Sequence, residues 1–366
     1  MHALPLEGEV RIPSGCAISG IFSKSGERMD GGIIVRSIAT MHDRSNGLGG
    51  GFAAYGIYPQ YRELYAFHLF YQTPKAKEEC EAYLAAHFEI AYQDEIPTRK
   101  HPRIIDKPDI RRYFLSPKQA MLDESLLDEK EYTARIVIHI NTDISGAFVF
   151  SSGKNMGVFK AVGFPEDVGE FYRLEEYEGY SWTAHGRYPT NTPGWWGGAH
   201  PFALLDYTIV HNGEISSYDA NRRYIEMFGY KCDLLTDTEA ITYILDYLVR
   251  KVGLTLTEAA SVIAGPFWIE IDRMNEKEKA RLTYLRNAFS SLLITGPFSI
   301  LLGYEGGMMA LNDRLKLRSM VVGEKNDRVY IASEECAIRA IEPNLDRVWA
   351  PKGGQPVIVT LDGGVR

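Results

Sequence analysis

Five short runs near the end of the chain constrain its fold most: FSILLGY (298–304), GMMALND (307–313), SMVVGE (319–324), RVYIAS (328–333) and PVIVTL (356–361). Each is rich in apolar or β-branched residues, and Gly, Asn and Asp fall between them, which reads as successive strands and turns. Ahead of them lies a helical pattern in which Ala240, Ile241, Ile244, Leu245 and Leu248 form a stripe behind a capping box of Thr236 and Glu239. Residues 276–293 repeat the helical pattern, and GIIVRSIATM (32–41) predicts another helix, followed by a Gly-rich turn and strand over 46–56. Strand runs therefore flank helix runs at both ends, which predicts sheets packed with helices in layers.

The middle of the chain is less regular. KAKEECEAYLAAHF (75–88) reads as an exposed amphipathic helix, and the charged, proline-spiked segment that follows is expected to be an insertion over about 92–133. RIVIHIN (135–141), GAFVFSS (146–152) and GVFKAVG (157–163) alternate as three strands of a small meander. An apolar content of 45% in 366 residues can fill a sizeable core. Lys and Arg total 40 against 48 Asp and Glu, a net charge of -8, which argues against nucleic-acid binding. The N-terminus lacks the basic and apolar regions of a secretory signal, and Gly296-Pro297 interrupts the longest charge-free apolar stretch, so a cytoplasmic protein without a membrane span is expected. Cys16, Cys80, Cys232 and Cys336 are scattered with no CxxC pair, and no HExxH occurs, so neither a disulfide framework nor a metal site is expected.

Four segments carry candidate chemistry. Cys16 precedes the apolar run AISGIF, where a lone cysteine can also be a small buried hydrophobe. AHGRYPTNTPGWWGG (184–198) holds Arg187, suited to a bidentate grip on a carboxylate, or to an ordinary surface ion pair. IVHNGEISSYDANRRY (209–224) holds Asn212 and Gly213, which could pair two N–H donors on an oxyanion or form a type I′ hairpin turn. In LLTDTEA (234–240), Asp237 could receive an ammonium group or simply favour the first turn of a helix. The Gly run after Met41 has no Lys-Ser/Thr and no GxGxxG, so it does not read as a phosphate loop.

Taken in order, the Cys16 run, H-G-R-Y-P-T-N, H-N-G-E and T-D-T-E resemble the glutaminase domain of class II glutamine amidotransferases, the N-terminal-nucleophile type, and most of all the domain at the front of glutamate synthases. DRLKLR (313–318) and IASEE (331–335) resemble that family's later strands. The resemblance implies an α+β fold, a four-layer αββα sandwich with Cys16 at the start of a central strand. It implies a leader of residues 1–15, whose removal frees the α-amine of Cys16 as the base, and an amidotransferase domain over 16–366. Cys16 would then form a thioester with L-glutamine and release ammonia, with Asn212 and Gly213 as the oxyanion hole.

Arg187 would take the substrate α-carboxylate and Asp237 its α-ammonium. Tyr188, Thr190 and Asn191 would shape the pocket around Arg187, with Trp195 and Trp196 as lid or partner-facing aromatics. Arg44, in the place of the family's R-G-x-x-G-x-G segment, would support the nucleophile, while structural roles are expected for His185 and His211. Ala17 stands where the family usually has glycine, and Ser45 where a glycine follows the arginine. No PRPP-binding, ATP-pyrophosphatase or sugar-isomerase signature follows these motifs, so the ammonia acceptor is expected on another polypeptide. The resemblance points to an FMN-containing, iron–sulfur synthase subunit, with no cofactor in this chain. Two other readings remain: a silent or unprocessed scaffold of the same fold, and an N-terminal-nucleophile amidase acting on a different amide.

Overall fold

A computed structural model of the chain describes residues 15–189, 194–234, 236–361 and 363–365. Two antiparallel sheets form its centre. The larger has seven strands in the order Arg347–Trp349, Val321–Lys325, Arg328–Ala332, Ala17–Ser23, Ser181–Gly186, Gly50–Tyr55 and Met156–Ala161. The strand that begins beside Cys16 is thus the middle one. The second sheet has five strands, ordered Phe202–Leu204, Tyr207–Gly213, Phe298–Tyr304, Gly307–Asn312 and Val357–Thr360.

Side-chain alternation explains the layering. From the middle strand, Ile18 and Phe22 enter an apolar layer with Val210, Leu301, Met308 and Ala310 of the second sheet. Ala17 and Ile21 point the other way, into a core shared with Ile34 and Ile38 of the Gly32–Ala39 helix and Val168 of the Pro165–Phe171 helix. Gly20 faces the inter-sheet layer, where a Cβ would come within 2.9 Å of Leu301. On the far side of the second sheet, Ile209, Ile300 and Met309 pack with Ile241, Ile244 and Leu245 of the Asp237–Asp246 helix. The result is the expected four-layer αββα sandwich, each sheet burying one face on its partner and one on helices.

Several local expectations are corrected. Residues 135–141 are not a strand: they lie within the helix Glu129–Asp143, whose N-cap Asp128 accepts a hydrogen bond from the Glu131 amide. Tyr132, Ile136 and Ile140 share one buried face at helical spacing, so tertiary burial overrides the β preference of the Ile and Val residues. The meander is absent as well, because Ala147–Ser151 pairs with Tyr65–Tyr71 whereas Met156–Ala161 pairs with Gly50–Tyr55 in the larger sheet. Within 92–133, the Asp109–Pro117 strand pairs with Phe88–Glu95 and Tyr65–Tyr71 in a third, four-stranded sheet. Thr236 caps its helix through the Thr238 amide, and the Glu239 carboxylate accepts from the Leu234 amide, so the expected reciprocal box does not form.

Candidate functional site

Strand register builds the site. Ala17 pairs with Gly186 and Ile18 with His185, so one more step in the same register sets Cys16 opposite Arg187 at the end of the inter-sheet layer. On the other flank Gly186 pairs with Gly50, and beyond the ladder the Arg187 amide donates to the Gly49 carbonyl at 2.8 Å. Gly49 explains part of the glycine run: its φ is +155° and a Cβ there would lie 3.0 Å from Cδ of Arg187. The run therefore lets a buried arginine stem lie against backbone. Arg187 itself is 4% exposed.

The Cys16 thiol accepts a hydrogen bond from the Tyr188 amide at 3.3 Å. Burial pushes its pKa up, against the pull of the Tyr188 amide, Arg187 and Arg318 and with the push of Asp237. A half-buried thiol whose pKa is raised needs a base to become a nucleophile. The Arg44 guanidinium donates from Nε to the Cys16 carbonyl at 3.1 Å and from Nη1 to Glu334 at 2.7 Å, which puts it on the backbone of Cys16.

Asn212 and Gly213 do not form a hairpin turn. Both belong to the Tyr207–Gly213 strand, paired with Ser299 and Phe298. Gly213 has φ +156°, and a Cβ on it would fall 2.1 Å from the Pro297 carbonyl oxygen, so no other residue fits. The fully buried Asn212 donates from Nδ2 to Ser333 Oγ at 3.3 Å, and Ser333 also accepts from the Ile18 amide at 3.1 Å. One hydroxyl thereby ties the Asn212 amide to the strand that follows Cys16. Nothing in the sequence marked Ser333 beyond its place in IASEE.

Asp237 is the first residue of its helix, as its alternative reading also allowed. Burial raises the pKa of its carboxyl, but His211, the Ile215 amide and Thr238 together hold it below the usual carboxylate value. Asp237 also lies close enough to act electrostatically on both Cys16 and Arg187. Cys16, Arg187, Asn212, Gly213 and Asp237 therefore converge from four separate elements.

Thr190 and Asn191 lie outside the described residues, as do residues 1–14 of the expected leader. Tyr188 contributes its backbone amide to the thiol. Trp196 is buried against Phe70 and Phe171, a core position rather than a lid, and Trp195 packs edge-on to Phe148. Lys160, which no motif marks, is buried like His185 and Glu239 of the motifs. Burial lowers the pKa of Lys160 to about 7 and that of His185 to about 3, and raises that of Glu239 to about 8. Lys160 donates to the Gly197 carbonyl at 3.0 Å. Among the described residues no cluster of His, Cys, Asp and Glu is placed to hold a metal ion, and no helix is long and apolar enough to cross a membrane.

The sequence profile of the family described as glutamine amidotransferases class-II matches residues 82–362. An uncharacterized protein of Archaeoglobus fulgidus is 50% identical over 349 residues, covering 94% of this chain and 92% of its own length. An amidophosphoribosyltransferase of Methanocaldococcus jannaschii is 26% identical over 225 residues, 59% of this chain and 42% of that protein. A putative glutamine amidotransferase of Methanothermobacter thermautotrophicus is 27% identical over 202 residues, 54% of this chain and 57% of that protein. The chain thus spans only part of the length of these last two relatives. Among solved structures, the glutamine phosphoribosylpyrophosphate amidotransferase of B. subtilis aligns with TM-score 0.48 at 14% identity, over 96% of this chain and 48% of that one.

Proposed function

The chain belongs to the class-II glutamine amidotransferases, and on that premise we propose that it hydrolyses the side-chain amide of L-glutamine at Cys16 and hands the ammonia to a partner. The observation that supports this reading is that Arg187 and Asp237 act electrostatically on the half-buried Cys16 thiol while Asn212 is tied through Ser333 to the strand that follows it. Cys16 Sγ attacks the carboxamide carbon. Its proton passes to the α-amine of Cys16, freed by removal of residues 1–15, and from there to the departing nitrogen, which leaves as ammonia. Water then attacks the thioester, releasing glutamate and restoring the thiol. The raised thiol pKa is why such a base is needed.

The developing oxyanion is received by the Asn212 side-chain amide and the Gly213 backbone N–H. Arg187 takes the α-carboxylate and Asp237 the α-ammonium, so the site selects a free amino acid. Tyr188 lends its backbone amide to the thiol, and Arg44 steadies the backbone of the nucleophile. The acceptor is assigned to a glutamate-synthase-like partner carrying the flavin and iron–sulfur chemistry, on the strength of the resemblance in the H-G-R-Y-P-T-N and H-N-G-E segments.

The test is the intact mass of the purified protein before and after exposure to a diazo-ketone analogue of glutamine. Loss of residues 1–15 and one adduct that vanishes in Cys16→Ser is the expected result. A full-length mass with no adduct would sink the catalytic reading of the isolated chain and leave the scaffold. Addition of a purified FMN-containing synthase subunit should then couple glutamine consumption to glutamate formation from 2-oxoglutarate, and free ammonia accumulating at the same rate with and without it would refute the partner.

A further inference from the structure

Between Asn212 and the helix that begins at Asp237 lies an imidazole that the proposed chemistry does not use. His211 is 1% exposed and sits one residue before Asn212 on the Tyr207–Gly213 strand. Its Nδ1 lies 3.4 Å from Oδ1 of Asp237 and 3.1 Å from Oγ1 of Thr238. Its Nε2 has no hydrogen-bond partner among the described residues and packs under Gly213, where a Cβ would come within 2.9 Å of it. The ring therefore fills the space between the end of the strand and the start of the helix.

A second histidine fixes the first from across the sandwich. His185 Nε2 donates to the His211 carbonyl at 2.9 Å. A carbonyl can only accept, so the His185 proton is on Nε2, and burial keeps that ring neutral with its pKa near 3. His200 stacks on it at 4.1 Å between centroids. His185 lies on the Ser181–Gly186 strand that runs into Arg187, so this bond ties that strand to the strand of Asn212 and Gly213.

We infer that His211 is a positioning residue for substrate recognition: it holds the Asp237 carboxylate in place for the α-ammonium of the amino acid, and His185 holds His211. The inference rests on the proposed reading of Asp237. Of Asp237's hydrogen bonds, that from the Ile215 amide goes to Oδ2, and those from Thr236 and Thr238 are local contacts within the helix start. His211 Nδ1 reaches Oδ1 from a different element, directly as a 3.4 Å contact and through its hydrogen bond to Thr238 Oγ1, which donates to Oδ1. A histidine that merely filled space would affect every substrate of the site alike.

The test compares kcat/KM for L-glutamine with that for 4-carbamoylbutanoate, the same amide without the α-amine, on the processed enzyme. Both substrates use the same thiol, oxyanion hole and Arg187, so damage to those cancels in the ratio. His211→Leu should lower the preference for glutamine about ten- to a hundredfold, the range of one charge-assisted contact. His211→Gln, whose amide reaches the Nε2 position instead, should lose the preference too and keeps the inference testable should the leucine variant not fold. His211→Asn, whose amide can take the place of Nδ1, should retain it. Equal losses for both substrates in His211→Gln, or an undiminished preference, would overturn the positioning role. A wild-type enzyme with no preference for glutamine over 4-carbamoylbutanoate would overturn the Asp237 assignment together with it.

Discussion

Replacing Glu239 by Gln should stabilise the protein, increasingly so as pH rises from 5 to 8. Glu239 is 2% exposed, with Oε2 accepting from the Leu234 amide at 3.0 Å and Oε1 from the Tyr243 hydroxyl at 3.2 Å. Burial raises its pKa from 4.5 to about 8 in spite of those bonds and of Lys160 nearby. In the folded state the carboxyl thus keeps its proton over a range where the unfolded chain has released it. Below pH 4.5 both states are protonated and the full stability is present. Between the unfolded and folded values each pH unit removes about 1.4 kcal/mol, and above the folded value the loss is complete. The accumulated cost is roughly 3 kcal/mol at pH 7 and approaches about 5 kcal/mol above pH 8.

Glutamine has nearly the same shape, can accept from the Leu234 amide and donate to Tyr243, and has no charge to bury. Lys160 shifts in the opposite sense, from 10.5 down to about 7, and is present in both proteins, so its own titration largely cancels in the difference. Urea unfolding of wild type and Glu239→Gln at pH 5, 6, 7 and 8 measures that difference directly. It should be small at pH 5 and should widen by several kcal/mol by pH 8, on the order of the loss given above. A difference that stays flat or narrows would show that Glu239 ionises at its ordinary pKa and that burial is not the dominant influence on it.

Other substitutions follow from the same contacts. Asn212→Ala should lower kcat for ammonia release about 10²- to 10³-fold with a smaller change in KM, and an unchanged kcat would remove Asn212 from the oxyanion hole. Arg187→Lys should raise KM for glutamine by about tenfold or more, because one ammonium cannot reproduce the paired N–H donors, and steady-state kinetics in which only kcat moves would contradict the carboxylate grip. Gly213→Ala combines φ +156° with a contact of 2.1 Å to Pro297. It should therefore cost at least ~1–3 kcal/mol in thermal or urea unfolding, and an unshifted melting curve would argue against the strand geometry.

The parts of the fold that could be read in advance are those where local pattern and tertiary environment agree. The strands after Phe298 alternate with turn residues and sit in sheets where short apolar runs belong. The helix Pro74–His87 begins at a Thr73 side chain that accepts from Ala76, with proline in its first turn. RIVIHIN was illegible because its Ile and Val residues satisfy an alternating pattern and a helical one equally well. Only the Asp128 cap and the sheet under Tyr132, Ile136 and Ile140 decide for the helix. Tyr65–Tyr71 is illegible for a different reason: YAFHLFY is buried on both faces, so it has no polar face to reveal a period.

The site divides along a similar line. Cys16, Arg187, Asn212, Gly213 and Asp237 could be named because each is a residue type with a specific capacity set in a short motif. Their supports are only partly legible: the motifs give His185 and His211 structural roles, but what each holds, and Ser333 altogether, acquires meaning only from pairing across strands. Ile18 opposite His185, and Asn212 within reach of Ser333, are facts of register and stacking. A shift of either ladder by one residue would turn Arg187 or Asn212 away from the inter-sheet layer, because alternate residues face opposite sides of a strand. The chemistry of this site therefore depends on the same alternation that fills the core with Ile18, Phe22, Val210 and Leu301. Mutations that loosen that apolar layer should accordingly impair catalysis before they unfold the chain, because Cys16 and Arg187 lie at its open end, one step beyond the last paired residues.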